Sequence, residues 1–198
     1  INGGVYDGGL NTIKNDDFGK LVINDGTFKN ITQAAVLNWN VTEINDGEFT
    51  LAEDASVQSV ILNGQIDNTM DKGELTIKGG TFTASGTATA ITTMENGQKS
   101  TGTITISGGS FTGDIEIKNS GSEAANSNIT ISKEANVTGN VTIAAGSATV
   151  SEGATVSGNV TNAGTGALMV KDASVGGTVA GNESGDTMVL NSTVGSAD

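Results

Sequence analysis

Apolar and polar residues alternate along this chain in short runs, and glycine breaks each run. Leu75-Thr76-Ile77 and Ile104-Thr105-Ile106 show the period of two that marks a strand with one buried face. A phrase written five times accompanies these runs. It reads Ile1-Asn2-Gly3-Gly4-Val5-Tyr6, Ile23-Asn24-Asp25-Gly26-Thr27-Phe28 and Ile44-Asn45-Asp46-Gly47-Glu48-Phe49. It returns as Ile77-Lys78-Gly79-Gly80-Thr81-Phe82 and Ile106-Ser107-Gly108-Gly109-Ser110-Phe111. The physical reading is strand, corner, strand. Isoleucine closes one buried strand, the glycine at 4, 26, 47, 80 or 109 takes a positive-φ corner, and the aromatic turns back inside.

The second half repeats the same plan with smaller residues. Ile131 to Val141, Val150 to Val160 and Met169 to Val179 follow one another at an offset of 19. That offset aligns Ala135, Ala154 and Ala173; Val137, Val156 and Val175; Gly139, Gly158 and Gly177; and Val141, Val160 and Val179. A further copy starts at Met188, with Ser192 and Val194 in register. Ser107 to Ile117 matches Ser132 to Ile143 once one residue is inserted at the corner, so the valine ladder reads as the continuation of the phenylalanine ladder. Self-similarity at such periods marks stacked structural units.

Coils of three short parallel strands, stacked at about 4.8 Å, accommodate these periods. A hexapeptide helix wants strict sixes, which 19 does not give, and propeller blades need longer repeats. The expectation is an all-β, right-handed, single-stranded parallel β-helix of roughly eight to ten coils, about 40 Å long. The aromatics lie 22, 21, 33 and 29 residues apart, so loops of different length leave the corners. The interval of 33 leaves room for an extra coil, since Glu53 to Val57 resembles Glu152 to Val156. Residues 1–198 read as one β-helix domain, with Gly-Gly-x-Phe coils and longer loops over 1–117 and regular 19-residue Val/Gly coils over 118–198. Beginning mid-phrase and ending mid-coil, the chain is expected to be a piece of a longer protein whose signal and anchor lie outside it.

Composition narrows the function. A net charge of −13 disfavours nucleic acid and anionic membrane surfaces as partners. The nine cations are all lysine; the chain has no His, Arg or Cys. Ser-His-Asp and Cys-His machinery in their usual forms is therefore excluded, as are zinc sites built on His or Cys. So is the arginine with which β-helix lyases stabilise acidic sugars. No proline interrupts the strands, as stacked ladders need every N–H donor.

Among 22 carboxylates, Asp25 and Asp46 hold the same place in successive copies of the phrase. In adjacent coils they would sit about 5 Å apart, close enough to share a calcium ion or to resemble a retaining glycosidase pair. The plainer alternative is two solvated Asp-Gly turns. Asp16-Asp17 is a second cation candidate. Trp39, the only tryptophan, is the best candidate for stacking on a sugar ring, against a packing role. Asn-x-Thr triplets at Asn30, Asn40, Asn128, Asn136, Asn140 and Asn159 arise naturally in strands of Asn, Val and Thr. Pairs such as Thr87/Thr89 and Thr101/Thr103 do not recur at one fixed place per coil.

The Ile-x-Gly-Gly-Thr/Ser-Phe phrases at 77–82 and 106–111 resemble repeats of large secreted and cell-wall-attached proteins of Gram-positive gut bacteria. Val-x-Gly-Asn-Val at 137–141 and 156–160 is similar to rungs of adhesins and autotransporter passengers. This resemblance covers most of the chain and implies an extracellular β-helix in an adhesin-like surface protein. It carries over no functional residue, because such families share no catalytic motif. The reading that follows is a non-enzymatic structural or adhesive module at the cell surface whose partner is a host or matrix protein or a glycan. The alternative is a carbohydrate-binding β-helix, calcium-assisted through its acidic corners, with the loops between Thr50 and Gly73 and between Ala84 and Gly102 as walls. Polysaccharide cleavage ranks third.

Overall fold

The computed structural model describes the whole chain except residues 17, 52–58, 65–72, 94–101, 119–126 and 198. The described residues form an all-β parallel solenoid with no helix. Each turn contributes one strand to each of three faces. The first face stacks Asn2–Asp7, Asp25–Asn30, Glu48–Leu51, Thr81–Thr83, Ser110–Thr112, Asn136–Thr138, Thr155–Val156, the start of Ser174–Ala180, and Thr193–Ala197. The second stacks Asn11–Asn15, Ala34–Asn38, Ser59–Asn63, Thr89–Thr93, Ile115–Ile117, Val141–Ile143, Val160–Asn162 and the end of Ser174–Ala180. The third stacks Lys20–Ile23, Val41–Ile44, Glu74–Ile77, Ile104–Ile106, Asn128–Ser132, Ser147–Ser151, Leu168–Lys171 and Thr187–Leu190.

From the first to the last of the third face's eight strands is seven turns, fewer than the eight to ten coils that the intervals predict. The difference lies in the loops. Phe49 pairs directly with Phe82 and Phe82 with Phe111, so the intervals of 33 and 29 are each a single turn. Glu53 to Val57, the segment read as an extra coil, lies outside the described residues.

The aromatic of each phrase forms one continuous internal column. Tyr6, Phe28, Phe49, Phe82 and Phe111 stack with centroids 4.6–5.0 Å apart and planes within 6° of parallel. All four phenylalanines are fully buried. Phe111 then pairs with Val137, and the column continues through Val156, Val175 and Val194. The inserted corner residue is present too: Ile106 meets Ile131 at a separation of 25, and Ser110 meets Asn136 at 26. Lys133 occupies this lengthened corner with φ 58°, and Glu152, Asp172 and Asn191 repeat the left-handed conformation in the turns that follow.

One alignment shifts. The offset of 19 pairs Val150 with Met169, whereas the structure pairs Val150 with Val170 and Thr149 with Met169. Leu168, Met169 and Val170 are all apolar, so a slip of one residue leaves the pattern of buried positions readable either way. The following corner is one residue shorter, which restores 19 between Thr155 and Ser174.

The corner glycines serve a second purpose besides their positive φ. A Cβ on Gly47 would lie 3.0 Å from the carbonyl oxygen of Gly26, and one on Gly80 would lie 2.9 Å from that of Gly47. The turns approach too closely there for any side chain. Gly80, at φ 101°, combines both constraints. Gly80→Ala is expected to destabilise the fold by about 1–3 kcal/mol through backbone strain, read as a lowered midpoint in denaturant unfolding.

A buried polar spine runs beside the apolar core. The side-chain amide of Asn15 donates to Asn38 Oδ1 at 3.0 Å, and that of Asn38 donates to Asn63 Oδ1 at 2.7 Å. Asn38 also donates to the Glu74 carbonyl at 3.0 Å and accepts from Thr42 Oγ1 at 2.7 Å. These amides close the bend between the second and third faces, where the backbone would otherwise leave buried carbonyls unpaired.

Candidate functional site

The register of the first face fixes what it presents outward. Residues flanking each aromatic point away from the core and line up along the axis. One row runs Thr27, Glu48, Thr81, Ser110, Asn136, Thr155, Ser174 and Thr193. The other runs Lys29, Thr50, Thr83, Thr112 and Thr138, of which the Thr50 hydroxyl is itself buried. Neighbours within a row are one strand spacing apart, and the two rows lie about 6.6 Å apart across the strand. From Thr81 to Thr155 the first row carries only hydroxyls and one amide. Thr155 Oγ1 donates to Asn136 Oδ1 at 2.8 Å. Over that stretch the result is a grid of uncharged donors, acceptors and methyl groups.

Threonines thus do recur at a fixed place per coil, contrary to what the pairs at Thr87/Thr89 and Thr101/Thr103 indicate. Thr89 is buried in the second face, and Thr101 lies outside the described residues. The relevant signal was the pair flanking each aromatic, obscured because Glu48, Ser110 and Asn136 share the row. The third face carries one more such row, Thr76, Thr105, Thr130 and Thr149, which passes into Met169 and Met188. At its start Glu43 accepts a hydrogen bond from Lys78 at 2.6 Å, and this contact holds its carboxyl below the ordinary glutamate range.

Asp25 and Asp46 do occupy equivalent corners of adjacent turns. Each spends one carboxylate oxygen on the next residue's N–H, Gly26 at 2.7 Å and Gly47 at 2.8 Å. The next two turns place Gly79 and Gly108 there, so the acidic row is two residues long. Among the described residues no group of three or more His, Cys, Asp or Glu side chains converges as a metal site would require. Of the second acidic pair, Asp16 forms an ion pair with Lys14 at 2.8 Å and Asp17 lies outside the described residues.

Trp39 is half-buried against Ala34, Leu37 and Leu62, a small apolar cluster on the outer side of the second face. The Lys14 ammonium sits 3.6 Å from its ring centroid. A sugar stacking on that ring face would first displace a cation–π contact of about 0.5–1 kcal/mol. The loops proposed as walls around a glycan fall largely at 52–58, 65–72 and 94–101, outside the described residues. Asn30 and Asn40, two of the Asn-x-Thr positions, are buried.

No protein-family profile, no curated protein and no solved structure matches the chain. The geometry of the faces therefore carries the functional argument. No helix among the described residues is long and apolar enough to cross a membrane.

Proposed function

We propose that this chain is a non-enzymatic structural or adhesive module of a bacterial surface protein, exposed outside the cell and built as a right-handed parallel β-helix. Right-handed crossing is the rule for parallel strands joined across a sheet, in about 98% of cases. The observation that supports the adhesive reading is the grid on the first face. Its donors and acceptors repeat once per turn from Thr81 to Thr155. A periodic, uncharged surface suits an extended, repetitive partner, a glycan chain or the extended region of a matrix protein. Catalysis instead needs a few unlike groups converging on one point. The absence of His, Arg and Cys from the sequence agrees with binding rather than turnover.

The carbohydrate-binding reading draws on the same grid, because alternating hydroxyl and amide groups match sugar hydroxyls in hydrogen-bonding character. A glycan array and a panel of matrix proteins, each probed with and without calcium, separates the two. Thr112→Lys with Thr138→Lys, both exposed on the first face, is expected to weaken whichever interaction is found by at least about tenfold, or 1.4 kcal/mol. Thr142→Lys, exposed on the second face, is expected to leave it unchanged. Equal losses from both faces, or a hydrolytic activity in the isolated chain, would sink the reading.

A further inference from the structure

We propose that Asp25 and Asp46 are sites of spontaneous backbone modification, at which the geometry of the corner converts aspartate to isoaspartate. The sequence holds three Asp-Gly pairs, Asp7-Gly8, Asp25-Gly26 and Asp46-Gly47. A glycine after aspartate leaves the amide nitrogen unshielded by any side chain, so by sequence the three are alike. The fold separates them. The N–H of Gly26 donates to Asp25 Oδ1 at 2.7 Å, and that of Gly47 to Asp46 Oδ1 at 2.8 Å. Each nitrogen therefore faces the carboxyl group of the residue before it, with Cγ one bond beyond the accepting oxygen. The N–H of Gly8 instead donates to the Lys29 carbonyl of the next turn at 3.1 Å, which commits that nitrogen to the ladder between turns.

Neighbouring turns hold both corners in this pose. Just before each aspartate, the N–H of Asn24 donates to the Ile1 carbonyl and that of Asn45 to the Ile23 carbonyl, both at 2.8 Å. The Asn45 side-chain amide also donates to Asn24 Oδ1 at 2.8 Å. Just beyond, the Gly47 carbonyl accepts from the N–H of Thr81 at 2.8 Å. Both aspartates are exposed, so water reaches the carboxyl carbon. A nucleophile fixed beside its electrophile reacts faster than one that must find it by rotation of a free chain.

The reaction needs no partner but water. The glycine nitrogen adds to the Cγ of the carboxylic acid and closes a succinimide ring. The nitrogen's proton and the acid's proton leave with one carboxyl oxygen as water. A second water then opens the ring. Addition at Cγ breaks the new N–Cγ bond and restores aspartate. Addition at the α-carbonyl breaks the original peptide C–N bond and leaves the chain running through Cβ and Cγ. Mass is unchanged, but the main chain gains a carbon where a Cβ on Gly47 would already lie 3.0 Å from the Gly26 carbonyl oxygen. Conversion thus works against the register that sets Phe28 on Phe49. The next two turns place Gly79 and Gly108 at this corner, so only these two turns carry the reactive pair there.

Peptide mapping of the folded 198-residue chain, aged in mildly acidic buffer, tests this. Cleavage after lysine puts the three pairs on separate peptides, 1–14, 21–29 and 30–72. Electron-transfer fragmentation then locates isoaspartate within each. The expected result is isoaspartate accumulating at Asp25 and at Asp46 at least about threefold faster than at Asp7, a modest gain for a fixed near-attack geometry. A succinimide form, lighter by one water, should precede it on the same two peptides. A parallel sample aged in guanidinium chloride should convert all three pairs at one rate. A rate at either corner no higher than at Asp7 in the folded chain overturns the proposal. So does a preference that survives in denaturant, since it would belong to the local sequence and not to the corner.

Discussion

Replacing Phe82 by alanine is expected to lower the stability of the solenoid by about 3–5 kcal/mol, as truncation of a fully buried aromatic does. The loss should fall near the top of that range. Phe82 stacks on two rings, Phe49 at 4.7 Å and Phe111 at 4.6 Å, and each such pair adds about 0.5–1.5 kcal/mol beyond area burial. Phe111→Ala breaks one ring contact, because its other neighbour is Val137, and should cost less. Each turn packs only against the turns beside it, so a gap in the column also weakens coupling between the halves. Denaturant unfolding of both variants checks this. A Phe82→Ala midpoint close to wild type, or a larger loss at Phe111, would show that the column is not the main internal support.

Asn38→Ala should be comparably severe, although it removes no apolar contact. Asn38 is fully buried and joins five partners: it accepts from Asn15 and Thr42, and donates to Asn63, Glu74 and Asn40. Without it the Asn63 side-chain oxygen and the Glu74 carbonyl lose a donor inside the protein. Each hydrogen bond lost in this buried setting costs about 1–3 kcal/mol, giving an expected loss of about 3–5 kcal/mol. Asn38→Asp gives a pH signature. A carboxylate there would face those three acceptors while buried, which raises its folded pKa above the unfolded value of about 3.9. The neutral acid is the form the fold tolerates, so the deficit against wild type is smallest below about pH 4 and grows as pH rises. Melting both proteins from acid to neutral pH reads this directly. A pH-independent difference would mean that Asn38 is not buried in its hydrogen-bonded setting.

The contrast between these two residues explains what was legible in the sequence. Phe82 belongs to a phrase whose Ile, Gly and aromatic keep fixed spacing, so the column, the corner and the junction at Phe111–Val137 follow from pattern. Asn38 belongs to Val36-Leu37-Asn38, and its partners end Ile13-Lys14-Asn15 and Ile61-Leu62-Asn63. Those triplets lie 23 and 25 residues apart, out of step with the aromatics, because the loops between the faces differ in length. The spine becomes visible only when the turns are superposed. The outward grid was hidden for another reason. Solvent-facing positions accept Glu, Ser, Asn or Thr alike, so Glu48, Ser110 and Asn136 mask a shared row. Asp25 and Asp46 show the converse, since a repeated residue type placed two carboxylates at one corner without the further ligands of a cation site.

The valine turns make length a discrete variable. Asn136 pairs with Thr155, and Thr155 with Ser174, at 19 residues per turn and with no loop between the first two faces. Tandem duplication of 19 codons in this stretch would insert one rung and leave every existing row in register, while adding about 5 Å of reach. Fully extended, the same 19 residues would span about 63 Å. The length of the solenoid can therefore change in small, equal steps, exchanging contour length for stiffness each time.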